Sequence, residues 1–176
     1  GAMQVTGGNG NLVSKAQLEG DFLLHVEFKV PETPATNGWQ NRGNSGVYIQ
    51  GRYEVQVLDS FGLVYDRAHV KVKIRSDPRQ WCGCFYRFKT ADIPMCLPPL
   101  AWQTYDIDFT APRFDAEGKK TADATITVLH NGVKIHNAVN LPKGTGIGGT
   151  RPEVPKGPII FQGHGNPVGF RNVWIL

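Results

Sequence analysis

GNSGVYIQGRYEVQVLDS, residues 43–60, is the stretch from which the fold can be read. Val47 and Ile49 alternate with Gly46, Tyr48 and Gln50, and Val55 and Val57 alternate with Glu54 and Gln56. Period-two alternation puts one set of side chains on each face of a strand. Only the tight Gly51-Arg52 connection separates the two runs, so they read as a β-hairpin with one apolar face. The same pattern recurs outward in both directions. Phe22, Leu24, Val26, Phe28 and Val30 alternate with Leu23, His25, Glu27 and Lys29. Trp102–Phe109 is a further strand. Ala124–Leu129 meets Val133–His136 across His130-Asn131-Gly132, an Asn-Gly turn of the kind that hairpins favour. Ile159–Gln162 and Val168–Ile175 flank Gly163-His164-Gly165-Asn166-Pro167. Val70–Arg75 alternates apolar with basic residues, as an edge strand guarded by lysines would. Residues 77–101 and 142–158, rich in proline or glycine, read as two long loops. No amphipathic helix longer than two turns is evident. The pattern predicts an all-β, two-sheet antiparallel sandwich.

The 176 residues suit one domain, 1–176, with a sizeable core. Hydrophobic residues are 40% and charged residues 19%, an ordinary globular balance, and 21 glycines and 12 prolines spread along the chain fit many turns. The net charge is +4, with six basic residues between Lys71 and Lys89. There is no Arg-rich run or basic helix, so a nucleic-acid partner is not expected. No stretch approaches the roughly 20 apolar residues of a membrane-spanning helix. Three cysteines, Cys82, Cys84 and Cys96, leave a Cys82–Cys96 disulfide and three free thiols equally open.

Candidate chemistry lies on the face opposite the core residues. Asn44, Tyr48 and Gln50 share that face of the first hairpin strand, with Asn44 and Tyr48 placed to hydrogen-bond or stack on a sugar; Asn44-Ser45-Gly46 is also an ordinary turn. Glu54 and Gln56, two apart, project together, so a carboxylate that acts as base would stand beside an amide that orients substrate. A cross-strand ion pair is the alternative role for Glu54. With Ile159 and Phe161 in the core, Gln162 and His164 share the outer face, and Arg171 of the next strand is expected on that same face. His164 between two glycines can serve as acid, base or ligand near neutral pH, and Arg171 can stabilise an oxyanion. Trp39 and Trp81 fall in loops and are expected at a binding rim; Trp102 and Trp174 fall in strands and are expected in the core. No acyl-hydrolase nucleophile elbow or phosphate loop is present. Gln56 stands where a second carboxylate would serve an ordinary glycosidase.

The segments 43–60, PPLAWQTYDIDF (98–109), ITVLHNGVKIH (126–136) and GPIIFQGHGNPVGFRNVWIL (157–176), with GDFLLHVEFKV (20–30), together resemble the 3-keto-disaccharide hydrolase family. The resemblance runs in order over nearly the whole chain. It implies a concanavalin A-like jelly roll of the lectin/glucanase type and a carbohydrate partner, a glucoside or disaccharide oxidised at carbon 3. A ketone there acidifies the proton on carbon 2, so a base can remove it, the group on carbon 1 leaves, and water adds back. Glu54, His164 and Arg171 are the expected catalytic residues, with Glu54 and His164 as base and acid in either order. Asn44, Tyr48, Gln56, Gln162 and Trp39 are the expected substrate-binding residues. A divalent metal could instead hold the enolate oxygen, but the sequence names no ligands for one. Family members usually carry a further N-terminal motif absent here, so one or two strands are expected to be missing or supplied otherwise. The resemblance also implies a bacterial, periplasmic or extracellular protein. It leaves the oligomeric state open. The rivals are a non-catalytic carbohydrate-binding module and a structural domain of a larger assembly.

Overall fold

The computed structural model describes residues 1–5, 10–34, 39–62 and 77–176; the expected strand at Val70–Arg75 lies outside them. Fourteen strands are described. The first seven are β1 (Met3–Gln4), β2 (Leu12–Val13), β3 (Leu18–Glu19), β4 (Phe22–Lys29), β5 (Ser45–Ile49), β6 (Tyr53–Val57) and β7 (Gln103–Thr110). The rest are β8 (Arg113–Phe114), β9 (Lys120–Ala122), β10 (Ala124–His130), β11 (Val133–Leu141), β12 (Lys156–Gly157), β13 (Ile160–Phe161) and β14 (Gly169–Ile175). The helical elements described are three 3-10 turns, at Trp39–Asn41, Pro78–Gln80 and Gly146–Thr150. No described helix is long and apolar enough to cross a membrane.

Every pairing among the described strands is antiparallel. A six-stranded sheet runs β1-β14-β4-β7-β10-β11 and a four-stranded sheet runs β2-β13-β5-β6, with two small ribbons, β12-β3 and β8-β9. The sandwich is the expected jelly-roll-like one, and its core lies where period two puts it. Phe22, Leu24, Val26 and Phe28 of β4 and Tyr105, Ile107 and Phe109 of β7 meet Val47, Ile49, Val55 and Val57 of the β5–β6 hairpin. Phe161 of β13 stacks on Phe170 of β14, ring centroids 4.4 Å apart, which ties the two sheets together. The turn after β10 has Asn131 and Gly132 at φ 51° and 78°, as the Asn-Gly pair predicts.

Two expectations about side-chain placement are corrected. Trp81 is buried in the core and Trp39 packs against it, so neither forms a rim. Trp102 and Trp174 instead lie toward the outer face of the six-stranded sheet. Arg171 sits 3.9 Å over the Trp102 ring, and Trp174, 44% exposed, stacks on His25. Parity within a strand is local, but the sheet a strand joins, and what lies over its outer face, is not. The three cysteines are free thiols. Cys82 and Cys96 approach each other, and burial pushes the Cys82 thiol up.

Candidate active site

The outer face of the β5–β6 hairpin forms the floor of a cleft of about 400 Å³. Cross-strand register sets Tyr48 opposite Glu54 and Gly46 opposite Gln56, while their neighbours Val47 and Val55 turn into the core. β13 adds a third row, since Ile160 pairs with Tyr48 and the Gln162 backbone amide donates to the Gly46 carbonyl at 2.9 Å. Asn44, Tyr48, Glu54, Gln56 and Gln162 all line this cleft, and His164 stands at its exposed edge. The pattern that predicted these residues on one face therefore found the floor. Gln50, of the same parity, is occupied elsewhere: its amide donates to the Leu18 carbonyl at 3.2 Å.

Glu54 is the centre of the arrangement. It is 2% exposed, and burial pushes its carboxyl up to about 8, against a weaker opposite pull from the Tyr48 hydroxyl bonded to it. The Ser45 carbonyl can only accept, so the Gln56 atom facing it at 3.0 Å is the amide nitrogen, which then also donates to Glu54 Oε1 at 3.0 Å. Tyr48 is held at its hydroxyl by Gln162 Nε2, 3.4 Å away. Burial and the neighbouring Glu54 carboxyl push the Tyr48 phenol up, so it stays a donor.

Two glycines make room for that carboxyl. A Cβ on Gly46 would come 2.5 Å from Glu54 Oε1, and one on Gly146 would overlap Glu54 Oε2. Gly146 also has φ 57°, a conformation that costs other residues energy. It belongs to the 142–158 segment, which the hairpin itself anchors. The Thr145 hydroxyl accepts from the Glu54 amide at 2.8 Å, and the Thr145 amide donates to the Arg52 carbonyl at 2.9 Å. The buried Arg52 guanidinium then donates to the Val154 and Lys156 carbonyls at 2.7 and 3.1 Å.

Sequence reasoning missed Asn11, Gln40, Tyr86 and Ile147, which also line the cleft. They come from loops, where periodicity carries no facing information. Two expected residues are not there. Arg171 lies on the outer face of the six-stranded sheet, its Nε 2.5 Å from Glu27 Oε2. The chain after β13 crosses to the other sheet, so β14 presents Arg171 on the opposite side of the core. Trp39 does not line the cleft, although its neighbour Gln40 does. Among the described residues no group of three or more His, Cys, Asp or Glu side chains is placed to hold a metal ion. The described lining offers one carboxylate, one imidazole and the amides of Asn11, Gln40, Asn44, Gln56 and Gln162.

The whole chain, residues 1–176, matches the family model described as a 3-keto-alpha-glucoside-1,2-lyase-like domain. A comparison with curated proteins gave no match. Three crystal structures of candidate glycosyl hydrolases from Parabacteroides distasonis ATCC 8503 are similar. One is 34% identical, with TM-score 0.81, over 99% of this chain and 71% of that one. The second is 22% identical, with TM-score 0.58, over 96% and 83% of the two chains, and the third 18% identical, with TM-score 0.61, over 97% and 77%. The last two share the fold.

Proposed function

This chain belongs to the family of 3-keto-alpha-glucoside-1,2-lyase-like domains, and we propose accordingly that it cleaves the glycosidic bond of a glucoside already oxidised at carbon 3. Glu54 carries the reading. Among the described residues that line the cleft it is the one carboxylate, where ordinary glycosidases use two. An elimination needs one base. Ionised Glu54 takes the proton from carbon 2, and the electron pair moves into an enolate whose oxygen is the former ketone at carbon 3. The enolate then expels the carbon 1 oxygen, which leaves as an alcohol after taking a proton from an acid at the cleft edge, the role proposed for His164. Water adds to carbon 1, a proton returns to carbon 2, and the balance is hydrolysis.

The surroundings of Glu54 support the base role. A carboxyl raised to about 8 is a stronger base, once ionised, than an exposed one near the ordinary 4.5. Tyr48 donates to Glu54 itself, and the Gln162 amide, which gives one hydrogen to the Tyr48 hydroxyl, keeps a second, a neutral donor suited to an oxygen that gains negative charge. Asn44 and Gln56, whose amide nitrogens donate within the protein, supply amide oxygens for hydroxyls. A shallow binding face with exposed tryptophans would suit a non-catalytic module, but Trp81 is buried and Trp39 packs on the core.

The test is release of the aglycone from a 3-keto-glucoside and from its unoxidised parent, with and without chelator. The expected result is cleavage of the keto form alone, with a rate that climbs with pH as Glu54 ionises and levels off above about pH 8. Cleavage of neither, with binding retained, would establish a binding module. A rate that falls through pH 8 would assign Glu54 as the acid. The expected bacterial periplasmic or extracellular location goes with this reading, and cell fractionation tests it.

A further inference from the structure

The cleft is polar at its floor and apolar at two points of its wall. Ile147 stands on the Gly146–Thr150 turn, with its own backbone amide against the Tyr48 hydroxyl, so it sits beside the Tyr48–Glu54 pair. It is 55% exposed, an isoleucine left facing the solvent of a cleft. Tyr86 comes from the other long segment, 77–101. Its hydroxyl is tied to the amide of buried Gln80 at 2.9 Å, and the Arg87 guanidinium lies over its ring at 5.4 Å. The phenol is thereby fixed in place while the residue still borders the cleft.

A sugar ring carries hydroxyls around its edge, and each one buried against an isoleucine would lose its partner in water without gaining another. The floor can satisfy one such ring, the one that reacts. The wall can satisfy none of a second ring's hydroxyls through Ile147, but it gains from covering apolar or aromatic surface. Accepting the elimination at Glu54, we infer that the leaving group this cleft prefers is an aromatic or apolar alcohol and not a second sugar, with Ile147 and Tyr86 as the residues that select it.

Benzyl and methyl 3-keto-glucosides test this, because their leaving alcohols are of similar acidity and a rate difference reports contact. The expected result is a kcat/KM roughly tenfold higher for the benzyl compound. That preference should fall at least about threefold in Ile147→Ser, and again in Tyr86→Ala, whatever the overall rate of each variant. A 3-keto-disaccharide should be cleaved no better than the methyl compound. A benzyl-to-methyl ratio near one with both compounds cleaved, or a ratio unmoved by both variants, overturns the inference and leaves the elimination standing. If neither compound is cleaved the elimination fails instead, and the dissociation constants of the same two ligands then decide: equal values overturn the apolar selection and a tighter benzyl ligand upholds it.

Discussion

Glu54 and His130 are both buried, and burial moves them in opposite directions: the acid up to about 8, the base down to about 3. Desolvation disfavours whichever form is charged, so each is held toward its neutral form. What differs is the setting. Glu54 lies on the outer face of the four-stranded sheet, ringed by donors and bordering a cleft. His130 lies at the end of the core, bonded through Nε2 to Gln103 at 3.0 Å, with the Phe28 and Tyr105 rings around it. His136, beneath the 77–101 segment, donates through Nε2 to the Gly83 carbonyl, 2.8 Å away, and stacks on Phe85; burial lowers its pKa to about 4. A buried ionisable group costs stability in either place. Only in the cleft can a substrate make use of it.

The largest effect expected is from Glu54→Gln. Removing the base should lower kcat on a 3-keto-glucoside by about 10²–10⁴-fold. The same change tests the contrast with His130 through stability. The raised pKa means that the native state holds a proton which the unfolded chain gives up near 4.5. The stability Glu54 contributes is therefore whole below that value and drains as pH rises through about 8. Glu54→Gln should melt at a higher temperature than the parent at pH 9, with the gap closing by pH 5. An equal gap at both pH values would mean that the Glu54 pKa is not raised.

Gly146→Ala comes next. It places a methyl group on the Glu54 carboxyl in a backbone conformation that alanine resists. The expected loss is about 1–3 kcal/mol of stability, together with a fall in kcat that survives correction for the folded fraction. Urea unfolding and kinetics on the same sample would separate the two.

The histidines probe the contrast from the other side. Their lowered pKa values mean that the unfolded state binds protons first as pH falls below about 6.5, so stability present above that value is lost toward 4 and 3. Replacing both with glutamine should flatten the fall in unfolding free energy between pH 7 and pH 5, to which the two histidines together contribute about 2–4 kcal/mol. Activity should follow stability alone. A change in the pH-rate profile would link this sealed end to the cleft.

The smallest effect belongs to Arg171→Ala. Its partner Glu27 and its platform Trp102 lie on the far sheet, so kcat/KM should stay within about twofold of the parent. A hundredfold loss would return Arg171 to the catalytic group and contradict the geometry that removes it.

Period two in 43–60 is enough to put Tyr48, Glu54 and Gln56 on one face, because alternation along a strand is a property of the backbone. The same reasoning places Gln162 and His164 at the cleft but fails for Arg171, which follows the Gly163–Pro167 connection. A simple hairpin there would have kept Arg171 on the face of Gln162. Instead β14 pairs with β4 and not with β13. Gly146 and Ile147 give no periodic signal at all; only the glycine-rich composition of their segment marks it as unusual.

The strands, the apolar face of each, the hairpin at 43–60 and the turn at Asn131-Gly132 are legible from local sequence, since all of these follow from interactions between residues close along the chain. Tertiary packing decides which sheet β14 joins, which tryptophans are covered, and how near Gly146 comes to Glu54. It also decides the ionisation of Glu54, because a pKa is set by how much water and charge surround a group. The neighbours that exclude water there come from far along the chain: Thr145, whose hydroxyl meets the Glu54 amide, lies 91 residues away.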